Sequence, residues 1–376
     1  MTALKFNCGD SYEALYYTLL VGGPTLSYWF PDIHFSIYVV LSAILIIDLG
    51  SFKSLKLLEV SKDKKKDEDI ETMTSKDAYM FPVFASAALF GLYVAIKFLG
   101  KEYLNLLLGA YFAFIGAIAI KHSLYGSLKR MIPWAAENEK SFSYRVPVLM
   151  KESTTEVYNA VDVTAYCISF TVGFYYFMTK HWLANNAIGV SLSVYGVESI
   201  SLGNFSVGAI LLGLLFFYDI FWVFGTEVMV TVAKNIDIPI KLIYPRDLAA
   251  VPPQFSMIGL GDIVIPGVFV ALCLRYDAFR SIKLKLIQTV ENGYSQFPKA
   301  FYYSCLSGYF FGLVATMVAM LVFNAAQPAL LYLVPGCLVS VFLCAAFKHD
   351  IKGAYEYQEQ GEEEKKKEEE EKKTKQ

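Results

Sequence analysis

Nine stretches of about twenty mostly apolar residues recur along the chain, near 33–51, 78–99, 103–124, 161–179, 182–200, 207–230, 257–276, 300–323 and 329–347. Each is long enough to cross the ~30 Å hydrocarbon core of a bilayer as a helix. The apolar positions are continuous rather than alternating, so a barrel of ten-residue strands is excluded. Lipid offers open backbone groups no partner, which leaves helices as the spanning form. A further apolar segment, Tyr12–Phe30, is broken in its middle by Gly22-Gly23-Pro24 and flanked by Tyr and Trp. That break suits an interfacial or re-entrant piece better than a clean span. The expected fold is therefore an all-α polytopic membrane protein with nine transmembrane helices and a short N-terminal segment.

Composition sharpens this picture. Of 376 residues, 55% are hydrophobic and only 18% charged, and much of the charge is crowded into 61–76 and 361–376. A soluble domain is usually near a quarter charged. A soluble enzyme is excluded, as is a nucleic-acid binder of the basic-patch kind. The six cysteines (8, 167, 273, 305, 337, 344) are scattered and mostly apolar in context, without a CxxC spacing. The four histidines form no HExxH zinc motif. Met1–Asp10 does not read as a secretory leader.

Loop charges set the expected orientation. With nine crossings, one side carries Lys53, Lys56, Lys62, Lys64, Lys65, Lys66, Lys76, Lys129, Arg130, Lys140, Arg145, Lys151, Arg280, Lys283, Lys285 and Lys299. The other carries Lys101, Lys180, Lys234, Lys241 and Arg246, so the asymmetry is sixteen to five. The rich side faces the cytosol. The N-terminus is then lumenal and the C-terminus cytosolic; if Tyr12–Phe30 crosses, only the N-terminal side changes. The divisions expected are an N-terminal lumenal or interfacial segment (1–32), helices one to five (33–200), helices six to nine (201–348) and a charged cytosolic tail (349–376). That tail ends Lys372-Lys373-Thr374-Lys375-Gln376, an imperfect dilysine retrieval signal. The sequon Asn204-Phe205-Ser206 falls in a loop on the cytosolic side and is expected to stay unmodified.

Charges inside spans point to function by default. Asp48, Glu198 and Glu227 lie near segment ends, where a carboxylate can reach the headgroups. Asp219 and Asp262 lie within or beside long apolar runs, with no matching intramembrane Lys or Arg, which suggests that each is the other's partner. Like charges in close proximity share a proton. In that state one carboxylate takes a proton from water while the other donates one to a carbonyl oxygen, the requirement for peptide hydrolysis. The same burial would serve a proton-coupled transporter, and on carboxylates alone the transporter is favoured.

Local context shifts the balance. Gly259-Leu260-Gly261-Asp262 places two glycines before one acid, and glycine permits close backbone approach. Gln327-Pro328-Ala329-Leu330 opens the last span, where proline starts a helix and stiffens its entry. Tyr218-Asp219, Gly259-Leu260-Gly261-Asp262 and Pro328-Ala329-Leu330, in this order on successive helices, resemble the presenilin/signal peptide peptidase family of intramembrane aspartyl proteases. So do Phe221–Lys234, Lys180–Asn186 and Gln327–Pro335, within a likeness running from about Ser75 to Ala346.

The resemblance implies a presenilin-like fold and an intramembrane aspartic endopeptidase of the endoplasmic reticulum. Its catalytic groups would be Asp219 and Asp262, and Tyr218, Gly259, Leu260, Gly261, Gln327, Pro328, Ala329 and Leu330 would border the groove for an unwound, extended substrate. Substrates would be remnant signal peptides and type II-oriented helices in the bilayer. The resemblance implies no metal or organic cofactor and no nucleic-acid partner; homo-oligomers and quality-control (dislocation) factors are the protein partners it suggests. A proton-coupled transporter and a non-catalytic scaffold are the alternatives.

Overall fold

The computed structural model describes residues 13, 16–20, 22, 34–56, 72–137, 140–144, 154–247, 254–286, 297–323 and 327–359. Helices form at all nine expected positions: α1 (Phe35–Ser54), α2 (Ser75–Leu99), α3 (Lys101–Met131), α5 (Ala160–Thr179), α6 (Trp182–Ser199), α7 (Phe205–Phe224), α9 (Leu260–Lys283), α10 (Ala300–Phe323) and α11 (Leu330–Phe347). Short helices α4 (Pro133–Ala136), α8 (Val228–Asn235) and α12 (Ile351–Glu356) lie between and after them. By length and composition, seven helices among the described residues can cross a membrane; α6 and α9 fall outside that set. α9 carries Asp262, Arg275, Asp277, Arg280 and Lys283. Both helices bury most of their residues within the bundle, so their surfaces meet protein where an outer helix would meet lipid. The outer faces are large and apolar: Phe84, Phe98, Phe174, Phe217, Phe311 and Phe342 are all exposed.

Three helix starts are fixed by short polar side chains that accept the otherwise unpaired first-turn amides. Thr74 and Asp77 form a reciprocal capping box on α2, and Asn159 and Asp162 form another on α5. Asn204, the sequon residue, caps α7 by accepting from Val207 N at 2.8 Å.

The all-α expectation needs a correction. Strands β1 (Thr72–Met73) and β4 (Ser201–Leu202) pair in parallel; β2 (Lys140–Tyr144) and β3 (Thr154–Tyr158) form one hairpin, and β5 (Lys241–Asp247) and β6 (Gln254–Gly259) another. The expected seventh span therefore begins later, because residues 254–259 are extended and the helix starts at Leu260. The sixth ends earlier, at Phe224, and α8 follows as a separate helix.

Of the three acids expected to reach outward at segment ends, two need correction. Asp48 lies well inside α1 and accepts from the hydroxyls of Tyr16 and Tyr302. Glu198 ends α6 but is buried, 3.1 Å from His122 Nε2 and 3.8 Å from Lys56 Nζ. Glu227 is exposed, at the start of α8. The expectation of no intramembrane Arg fails at Arg275, which is fully buried on α9 and ion-paired with Glu359.

Much of the Tyr12–Phe30 segment, the block 61–71 and the tail 360–376 lie outside the described residues. The described part of the first is helical, with Leu20 buried. Glu13 meets Lys53 near the end of α1 at 3.5 Å, and Tyr16 meets Asp48 farther back, so the described residues of this stretch run antiparallel to α1.

Candidate functional site

Asp219 lies fifteen residues into α7, on the face that meets α11 and α9. Its side chain is buried, and Oδ2 accepts from the backbone N–H of Leu330 at 3.0 Å. Leu330 is the first residue of α11, where a helix has N–H groups without an internal acceptor. Pro328 is buried; its carbonyl and that of Ala329 receive the amides of Leu331 and Tyr332 at 3.2 and 3.1 Å, which tightens the first turn. Thus the third motif reaches the first through a main-chain donor, and a helix N-terminus faces a carboxylate.

Asp262 sits in the first turn of α9 and is partly accessible. It is close enough to Asp219 for that residue's charge to be felt. Gly259 ends β6 and precedes α9 with φ −68° and ψ 141°, a conformation open to any residue. A Cβ there would crowd the catalytic candidate, standing 3.2 Å from Asp262 Oδ2, so a side chain at this position would press the carboxylate aside by a few tenths of an ångström. Gly261 is exposed, and a Cβ on it would come no nearer than 3.9 Å to Ile265 Cδ1. The two glycines thus serve close approach and an open surface, and neither has positive φ. Leu260 donates its amide to Ile240 O at 2.9 Å, which ties the start of α9 to the base of the hairpin. Tyr218 is half-buried, its ring 6.3 Å from that of Trp222. Gln327 and Ala329 are half-buried beside Pro328.

Sequence reasoning missed the residues that hold this arrangement. Asn185 and Asn186 on α6 take the free edge of β5. Asn185 Nδ2 donates to Lys241 O at 2.7 Å, and Asn186 both donates to Ile243 O (2.7 Å) and accepts from Ile243 N (2.8 Å). The Asn186 side chain completes the ladder as a neighbouring strand would. Tyr244, one residue farther along β5, shares a hydrogen bond with Ser42 of α1 at 2.5 Å. Tyr309 of α10 donates to the main-chain oxygen of Asp262 at 3.3 Å. Two adjacent buried amides in an apolar helix were a legible signal, because such groups need partners; the two tyrosines carried none.

Two neighbouring carboxylates, one partly accessible and one held by a backbone donor, can divide the work of activating water and protonating a carbonyl. On a bundle of apolar helices, this is the arrangement of an intramembrane aspartyl protease. The family model described as signal peptide peptidase matches residues 65–361. Signal peptide peptidases of Mus musculus and Homo sapiens are each 40% identical over 327 residues, covering 85% of this chain and 82% of theirs. A probable intramembrane protease of Schizosaccharomyces pombe is 33% identical over 304 residues, covering 80% of this chain and 89% of its own. The chain belongs to the signal peptide peptidase family.

Proposed function

We propose that Asp219 and Asp262 are the catalytic dyad, one activating water and the other protonating the scissile carbonyl. The observation that carries this is the 3.0 Å bond from Leu330 N to Asp219 Oδ2, which gathers the last motif onto the first, while α9, the helix of Asp262, packs on both of their helices. Gly259-Leu260-Gly261 and Pro328-Ala329-Leu330 border the groove in which an unwound substrate lies extended. Residues 201–348 form the catalytic half and 33–200 its support. The substrates are remnant signal peptides and type II-oriented helices in the endoplasmic reticulum membrane, with local unwinding favoured by helix-weakening residues. No metal or organic cofactor takes part. Homo-oligomers and dislocation factors remain the protein partners of this reading. A transporter or scaffold is disfavoured by family membership.

Nine crossings, at α1, α2, α3, α5, α6, α7, α9, α10 and α11, put the β5–β6 hairpin in the lumen and the C-terminal tail in the cytosol. In this reading Glu13, which meets Lys53, lies near the end of α1 assigned to the cytosol, and His34 precedes the end assigned to the lumen. With residues 13 and 34 at opposite ends of α1, the same reading takes the branch in which Tyr12–Phe30 makes a tenth passage. The N-terminus faces the cytosol, on the branch in which Tyr12–Phe30 crosses.

The test is cleavage of a synthetic signal peptide by purified protein, with fragments read by mass. Asp219→Asn and Asp262→Asn should each abolish turnover while insertion and folding persist, since a dyad acts as a unit. Substantial cleavage by either variant would return the protein to the scaffold reading.

A further inference from the structure

We infer that Tyr309 is a positioning residue for Asp262: its hydroxyl supplies the hydrogen bond that Pro266 denies to the aspartate's main-chain carbonyl. In an α-helix the carbonyl of residue 262 takes the N–H of residue 266. In α9 that residue is proline, inside the helix and without an N–H. The Asp262 carbonyl loses its helical partner, and a main-chain acceptor left unpaired within the protein is costly. The hydroxyl of Tyr309, whose residue is fully buried, donates to it at 3.3 Å. The proline thus removes one of the bonds that tie the first turn of α9 to the next, and the tyrosine replaces it from outside.

The packing around Tyr309 extends this hold to the other aspartate. Gly308 and Gly312 flank it on α10 and press directly on the backbone of α11. A Cβ on Gly312 would lie 2.8 Å from Tyr332 O, and one on Gly308 would lie 2.8 Å from the backbone carbon of Gly336. The height of Tyr309 is therefore locked to α11, whose first amide holds Asp219. One helix pair sets the relative position of both carboxylates. This inference rests on the proposed dyad.

A double-mutant cycle tests it. Tyr309→Phe removes only the hydroxyl and keeps the ring that fills the core. We expect kcat on a synthetic signal peptide to fall ~10- to 100-fold, the cost of a misplacement approaching 1 Å, with KM changed less than ~2-fold. Pro266→Ala restores a main-chain donor to the same carbonyl. In that background Tyr309→Phe should change kcat less than ~3-fold. Equal losses in both backgrounds, or an undiminished kcat in Tyr309→Phe alone, overturn the inference. Should Pro266→Ala itself be inactive, affinity for a hydroxyl-containing transition-state mimic provides the same cycle: Tyr309→Phe should weaken binding with Pro266 present and leave it unchanged with Ala, and equal weakening overturns the inference. Asp262→Asn in the same panel separates the two levels. If it still cleaves, the dyad itself fails; if it is dead while the cycle is additive, only the role of Tyr309 fails.

Discussion

Removing the carboxylate of Glu359 should be among the most destabilising single changes available outside the site. Arg275, on the same helix as Asp262 and about 20 Å along it at 1.5 Å per residue, is fully buried. Its Nε donates to Glu359 Oε1 at 2.5 Å and its Nη1 to Ser54 Oγ at 2.9 Å, while Nη2 has no partner among the described residues. Glu359 also accepts from Ser201 Oγ, and its amide donates to Gly203 O at 2.9 Å. Glu359→Ala leaves a buried guanidinium with one hydroxyl, a loss of ~3–5 kcal/mol by comparison with other broken buried pairs. Glu359→Gln keeps a neutral acceptor and should lose less. Replacing both charges, as Arg275→Met with Glu359→Leu, should recover most of the loss, because the desolvation cost disappears along with the attraction. The assay is heat resistance in detergent, followed as the fraction that stays monodisperse, for the three variants and the parent. Equal resistance of Glu359→Ala and parent, or a double variant weaker than Glu359→Ala, would refute the reasoning.

Two further outcomes follow from the same geometry. Pro328→Ala lets α11 extend backwards, so that the Leu330 amide finds a helical acceptor in place of Asp219 Oδ2; turnover should fall ~100-fold at unchanged expression, with weaker binding of a transition-state mimic, and wild-type values for both would remove this loop from the site. In sealed microsomes, protease should clip the Glu/Lys tail and a tag placed before Met1, while a tag inserted within 248–253 stays shielded until detergent is added; a shielded C-terminal tail would invert the topology, and a shielded N-terminal tag would mean that residues 13–34 do not cross.

What could be read in advance follows from what the solvent imposes. Lipid demands apolar side chains over a fixed length, so the helices lie where hydropathy put them. Boundaries were lost where another force takes over. The helix α3 runs to Met131, past its apolar stretch, with Lys129 and Arg130 in its last turn, where cations suit a helix C-terminus. The β5–β6 hairpin was invisible as a strand pattern, since one edge of β5 is completed by Asn185 and Asn186, some fifty residues earlier. Asp219 and Asp262 stood out because burial of an acid is costly enough to mark it. Leu330 contributes only its backbone N–H, which almost any residue possesses, so its part in the site could be inferred from the motif alone.

The two ends of α9 hold their charged groups by different physical logic. Near the tail, Arg275 with Glu359, and Arg280 with Asp350 at 2.9 Å, join opposite charges that hold the segment after α11 against α9. At the other end of α9, Asp262 has a like-charged neighbour and is held mainly through its backbone, by Tyr309 and by the Leu260–Ile240 bond. A salt bridge at Asp262 would have fixed it firmly and also kept it ionised, which defeats a dyad that must pass a proton between its members. Holding the main chain and giving the carboxylate no cationic partner among the described residues gives rigidity without fixing the charge. The strong ion pairs can be placed farther along the same helix, where they anchor its position in the bundle and leave the protons of the dyad undisturbed.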